Sequence, residues 1–133
     1  WQGGPHDRFV VLTGGEPALQ VDAALVAALH RHGFAVAIET NGTLPLPPGL
    51  DWICVSPKAG TALCQTTGDE LKLVFPQAGL APETLLALEF PRRFLSPMDG
   101  PALAENTAAA VAYVKANPAW RLSVQTHKRI GIP

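Results

Sequence analysis

Seven residues, Leu12-Thr13-Gly14-Gly15-Glu16-Pro17-Ala18, close an apolar run from Phe9 to Leu12 and lead into an amphipathic stretch. A strand that turns into a helix through Gly-Gly-Glu-Pro is the kind of junction at which α/β proteins hold ligands. Adjacent glycines let the backbone approach a ligand with no Cβ in the way, and Pro17 suits a first helical turn. The Glu16 carboxylate points to a cationic ligand group rather than a phosphate, because phosphate-cradling loops place Lys or bare glycines there. Taken alone, the same four residues also fit a plain tight turn in which Glu16 complements a helix dipole.

Polar or Pro/Gly residues follow the other apolar runs in the same way: Glu39-Thr40-Asn41-Gly42, Ser56-Pro57-Lys58, Ser96-Pro97-Met98-Asp99 and Gln125-Thr126-His127-Lys128. The elements that must position them alternate. Apolar strands are expected at Phe9 to Leu12, Phe34 to Ile38, Trp52 to Val55, Leu71 to Phe75, Arg93 to Leu95 and Arg121 to Val124. Helical spacing covers Leu19 to His32, capped by Gly33, then Thr84 to Phe90 and the alanine-rich Ala104 to Asn117, stopped at Asn117-Pro118. The run from Phe34 to Ile38 does not alternate, as expected of a strand covered on both faces. Strand, helix, strand units imply parallel pairing with right-handed crossovers, so the polar clusters share one edge of one sheet. The expected fold is α/β, in one domain spanning 1–133, with no internal repeat.

Composition sets the bounds. The 133 residues are 47% hydrophobic and 16% charged, which describes a globular chain with a substantial core. A net charge of −1, with both signs mixed along the chain, offers no electrostatic footprint for nucleic acid or a membrane surface. The two cysteines, Cys54 and Cys64, are too few for a disulfide framework and lack metal-site spacing, so they read as reduced structural thiols in a cytoplasmic protein. The aromatic residues Trp1, Trp52, Trp120, Phe34 and Phe75 read as packing. Glu70 and Lys72, alternating about Leu71, read as the solvent side of a strand.

Thr-Gly-Gly-Glu-Pro, Ile-Glu-Thr-Asn-Gly, Val-Ser-Pro-Lys, Glu-Leu-Lys-Leu-Val, Pro-Met-Asp-Gly-Pro and Gln-Thr-His-Lys occur in this order. Together, from Phe9 to Pro133, they resemble the 7-carboxy-7-deazaguanine synthases of the radical S-adenosylmethionine superfamily. The resemblance implies the C-terminal portion of a partial (β/α) TIM-like barrel. It also implies the ring contraction of 6-carboxy-5,6,7,8-tetrahydropterin to 7-carboxy-7-deazaguanine with loss of ammonia, on the route to queuosine and related deazapurines. The implied cofactors are S-adenosylmethionine, a 4Fe-4S cluster and Mg2+. The cluster cleaves the sulfonium reductively, and the resulting 5′-deoxyadenosyl radical removes a substrate hydrogen. The implied partners are the pterin, an electron donor such as flavodoxin and a second copy in a homodimer.

The family's site residues map onto this chain by position. Gly14, Gly15, Glu16 and Pro17 are similar to the segment that holds the methionine end of S-adenosylmethionine, whose α-ammonium needs acceptors such as a carboxylate. Ser56, Pro57 and Lys58, and then Ser96, Pro97, Met98 and Asp99, resemble two further cofactor segments, although many relatives carry Gln where Ser96 stands. Thr13 and His127 match substrate-contacting positions, and Pro133 matches a C-terminal proline whose carboxylate reaches the pterin. His127 and Lys128 by themselves fit a solvated loop pair; the resemblance assigns His127 and not Lys128. Glu39 and Asn41 either contact the cofactor's ribose or cap a turn.

The pattern breaks at the cluster. The superfamily's Cys-x-x-x-Cys-x-x-Cys and its neighbouring magnesium ligand have no counterpart, and Cys54 and Cys64 do not replace them. The chain also starts at Trp1 without an initiator Met. It is therefore expected to be the C-terminal part of a longer enzyme, inactive alone and prone to self-association through an unpaired strand edge. Two other readings follow from the same residues. One is a different radical enzyme, such as a glycyl-radical activating protein, which the Met98-Asp99 segment and the tail from Gln125 oppose. The other is a non-catalytic α/β ligand-binding module.

Overall fold

A computed structural model describes residue 4, residues 7–126 and residues 130–132. Six strands form one sheet: β1 (Phe9–Leu12), β2 (Ala35–Thr40), β3 (Trp52–Val55), β4 (Glu70–Phe75), β5 (Arg92–Pro97) and β6 (Arg121–Leu122). Their spatial order equals their chain order, and every neighbouring pair is parallel. Right-handed crossovers in such an order carry all connections over the same face. Helix α1 (Ala23–Arg31) joins β1 to β2, and α2 (Leu103–Ala116) joins β5 to β6.

The covered face is apolar. Val36, Ile38, Val55, Leu71, Leu73 and Leu95 are all fully buried, and the last four pack with Phe90, Trp120 and the α2 residues Tyr113 and Val114. At roughly 1.5–3 kcal/mol per buried aliphatic side chain, this layer is the main source of stability. The alternate positions on the same strands form the other face, which carries Glu39, Trp52, Cys54, Glu70, Lys72 and Arg92. Coverage of β2 on both faces therefore holds only in part. Ala37 is buried on the second face, whereas Ala35 and Glu39 beside it are exposed.

Three element boundaries differ from the sequence expectation for local reasons. The helix expected from Leu19 starts at Ala23, because the Asp22 side chain caps it by accepting the Leu25 N–H at 2.8 Å. Before it, Pro17–Leu19 form a separate 3-10 turn. Thr84 to Phe90 contains no α-helix; Pro82–Leu85 is a 3-10 turn, and Arg93 Nη2 donates to the Leu88 and Leu86 carbonyls at 2.9 and 3.3 Å. Those carbonyls are thus satisfied by a guanidinium instead of by amides of a continuing helix. At the other end of the sheet, β6 stops at Leu122, and the Thr126 N–H turns back onto the Val124 carbonyl.

Candidate functional site

The loop after β1 is held by its own glutamate. Gly14 and Gly15 take φ values of 87° and 55°, and nothing lies within 4 Å of where a Cβ would stand on either. The left-handed backbone calls for glycine, and the space above it is open. Glu16, half-buried, caps the short turn that follows: its Oε1 accepts the Ala18 N–H at 3.0 Å and the Thr40 hydroxyl at 2.6 Å. Oε2 accepts the Asn41 N–H at 2.7 Å. Thr40 Oγ1 accepts in turn from the Gly42 N–H at 3.0 Å, so the end of β2 is tied to the loop of β1. Burial alone would raise the Glu16 carboxyl. The bonds from Thr40, Asn41 and Ala18, with Lys58 nearby, outweigh it and hold the group below the usual carboxylate range.

Gly42 is required where it stands. Its φ is 77°, and a Cβ there would lie 2.7 Å from both Leu63 Cδ1 and Val55 Cγ1. The turn it makes carries Asn41, whose Oδ1 accepts the Thr43 N–H at 2.8 Å. Asn41 is therefore a turn cap, and it also faces the cleft described next.

Thr13, Gly15, Glu39, Thr40, Asn41, Ser56, Lys58 and Lys72 line a cleft of about 250 Å3 at the carboxyl ends of β1 to β4. Two ammonium groups flank it. Lys58 Nζ donates to Ser56 Oγ at 2.9 Å, and burial together with the nearby Lys72 lowers its pKa. Burial acts in the same direction on Lys72. There the 2.7 Å bond to Glu39 and the surrounding Cys54, Glu39 and Glu70 prevail, and the pKa is raised. Cys54, next to this pair, has its thiol pushed up to about 12, first by burial. It is a poor thiolate and a poor metal ligand.

The sequence-predicted residues thus divide. Thr13, Gly15, Ser56 and Lys58 meet in the cleft, and Glu16 braces its floor through Thr40 and Asn41. Gly14 lines the adjoining 180 Å3 pocket with Pro17, Gln20, Val21 and Leu25. Pro57 is buried and does not line the cleft. Ser96 and Pro97 are the last residues of β5, followed by Met98, whose N–H donates to the Phe75 carbonyl at 2.8 Å, and Asp99, whose Oδ1 accepts the Gly100 N–H at 3.0 Å. These four stand further along the same sheet edge and do not line the cleft. His127 and Pro133 lie outside the described residues.

Lys72 is the cleft residue to which sequence reasoning gave no role. Its alternation with Leu71 puts it on the sheet face that the helices leave uncovered, and there, half-buried, it lines the cleft. The signal lay in its position on a strand between strands, where a long side chain can reach an acid on the next strand but one.

The fold is thus a parallel α/β sheet that brings a glycine turn, its capping acid and two lysines together at the carboxyl edge. No family model matches the chain. It is 61% identical over 133 residues to the 7-carboxy-7-deazaguanine synthase of Caulobacter vibrioides, covering 100% of this chain and 63% of that protein. Identity is also 61% over 132 residues with the protein of the same name from Bradyrhizobium diazoefficiens, covering 99% of this chain and 63% of the relative. With that of Nitratidesulfovibrio vulgaris it is 55% over 128 residues, covering 94% and 59%. The chain is thus similar along its whole length to proteins named 7-carboxy-7-deazaguanine synthase. It spans just under two-thirds of the length of these relatives, at 63% for the first two.

Proposed function

We propose that the protein to which these residues belong forms 7-carboxy-7-deazaguanine from 6-carboxy-5,6,7,8-tetrahydropterin with loss of ammonia, as a radical S-adenosylmethionine enzyme. The observation that carries the reading is the 61% identity, along the whole chain, to proteins named for that synthesis. The cleft supports it. Open space above Gly14 and Gly15 admits a ligand to the backbone, and one acceptor position on Glu16 Oε2 remains beyond its three bonds, suited to an α-ammonium. Lys58 supplies a charged donor in the lining of the same cleft. The residues present therefore fit S-adenosylmethionine, with Gly15, Glu16, Ser56 and Lys58 nearest to it and Ser96 to Asp99 further along the edge.

A 4Fe-4S cluster does not fit these residues. It needs more thiolates than two cysteines provide, and the Cys54 thiol is held protonated by burial. Among the described residues no group of three His, Cys, Asp or Glu side chains is placed to hold a metal ion, Mg2+ included. In this reading both groups are held by polypeptide beyond these 133 residues, and when bound they supply the one-electron chemistry. The role of this chain is to orient the cofactor's amino-acid and sugar parts and to shield them from water. The proposed site of action is the cytoplasm; no helix of the described residues is long and apolar enough to cross a membrane. The electron donor would be a flavodoxin-like protein. The strand order, with its connections over one face, suits a segment of a partial (β/α) barrel whose charged face turns inward.

The test is anaerobic reconstitution of the full-length protein with iron and sulfide, then incubation with S-adenosylmethionine, Mg2+, a reductant and the tetrahydropterin. Appearance of 7-carboxy-7-deazaguanine with equimolar ammonia is expected. Reductive cleavage of S-adenosylmethionine without conversion of this pterin would overturn the substrate assignment.

A further inference from the structure

Lys72 lies outside the residues that the family resemblance assigns, yet it lines the cleft. It stands on β4 and bonds Glu39 on β2, reaching across the whole of β3. Two strand spacings amount to about 9 to 10 Å, a gap that only two extended side chains can close. The register gives the pair a direction. Glu39 is level with Cys54, and Cys54 with Glu70, so Lys72 sits two residues nearer the carboxyl edge than the acid it holds. The bond therefore draws the Glu39 carboxylate toward the edge where Thr13, Gly15, Asn41 and Ser56 line the cleft.

The bond uses Nζ and Oε2, and among the described residues Glu39 accepts from Lys72 alone. Stability offers little reason for this arrangement. The side chains retain 24% and 43% of their exposure, and pairs of this kind contribute about 0 to 1 kcal/mol. Replacing such a pair by apolar groups of similar volume is often neutral or better. What the pair does provide is a carboxylate of fixed orientation, with Oε1 unoccupied, on the wall of a polar cleft. In dinucleotide-binding α/β folds, a carboxylate at this edge accepts from a ribose hydroxyl.

We infer that Lys72 is a positioning residue: by holding Oε2 of Glu39 it presents Oε1 as the acceptor for the ribose hydroxyls of an adenosyl ligand. The inference rests on the S-adenosylmethionine reading above and adds to it the residue that sets ribose recognition. A flexible Glu39 would lose rotamer freedom on binding; a pre-held one has already lost it.

The test is calorimetric titration of the full-length protein with S-adenosylhomocysteine and with its 2′- and 3′-deoxy analogues. In Lys72→Met the affinity for S-adenosylhomocysteine should fall about ten-fold, while the affinity for at least one deoxy analogue changes less than about two-fold. Lys72→Arg should restore most of the loss. Glu39→Gln, which keeps the shape of the side chain, should show the same selective loss and serves if Lys72→Met does not fold. An equal loss against all three ligands, or no loss in either variant, would overturn the positioning role and leave the cofactor reading standing. Failure of the unsubstituted protein to bind S-adenosylhomocysteine at all would overturn both.

Discussion

The two faces of the sheet are built from the same strands and differ in nearly every respect. On the face beneath α1 and α2, alternate residues are aliphatic and fully buried, from Val36 through Leu71 and Leu73 to Leu95. One residue along each strand, the other face carries Glu39, Cys54, Glu70, Lys72 and Arg92, with Arg92 stacked 4.8 Å from the Trp52 ring centre. A parallel sheet with only hydrophobic work to do would be apolar on both sides. The difference assigns stability to one face; under the proposed function, the other presents charge toward a ligand at the carboxyl edge.

If that division is right, substitutions on the two faces should fail in different ways. Leu73→Ala, on the covered face, should cost about 2 to 5 kcal/mol in urea denaturation while the folded fraction binds S-adenosylhomocysteine unchanged. A loss below about 1 kcal/mol would show that the core lies elsewhere. Gly42→Ala strikes the junction of the two functions, since its backbone is left-handed and the added Cβ would meet Leu63 and Val55 at 2.7 Å. A loss of about 1 to 3 kcal/mol, together with weakened ligand binding, is expected from the same titration and denaturation.

Glu16→Gln should lower stability by about 1 to 2 kcal/mol, because an amide cannot accept all three bonds, and should also weaken S-adenosylmethionine binding. Unchanged affinity would remove Glu16 from the site and leave it a purely structural cap. Acid sharpens the same point. Glu16 is held below the ordinary carboxylate range, as is Asp51, chiefly by the Val36 N–H and then by His30. Each therefore binds its proton less readily when folded than when unfolded. Their contribution is complete above the unfolded values near 4 and is lost as pH falls through the lowered folded values. Stability measured between about pH 5 and 2 should fall, and the fall should be shallower in a Glu16→Gln, Asp51→Asn double variant. The smallest effect belongs to Lys72→Met, expected to change the melting free energy by less than about 1 kcal/mol. A larger loss would make the charged face a stability element after all and erase the contrast.

The two faces were not equally legible in the sequence. The buried one announced itself: Phe9 to Leu12, Trp52 to Val55 and Leu71 to Phe75 are short apolar runs with turn residues behind them, and they form β1, β3 and β4 within one residue. The alanine-rich α2 was equally plain, ended by Asn117 and Pro118. Apolar spacing misleads where a polar contact decides. It runs through Asp22, whose cap sets the true start of α1, and through Leu86 and Leu88, whose carbonyls the Arg93 side chain on β5 occupies. The site divides in the same way. Contiguous motifs such as Gly14-Gly15-Glu16 and Ser56-Pro57-Lys58 could be read from one stretch of chain. The Lys72 bond to Glu39 spans 33 residues, and the Glu16 bond to Thr40 spans 24, so both depend on strand order.

The Glu16 knot has a kinetic consequence. The amides of Ala18 and Asn41 bond to one carboxylate, and that of Gly42 bonds to the hydroxyl that donates to it. Protection from solvent deuterium at all three should then rise and fall together, as one opening unit that bridges two loops far apart in the chain. A ligand held at Glu16 would slow the exchange of the whole unit, so occupancy of the first loop could be timed at the amide of Gly42.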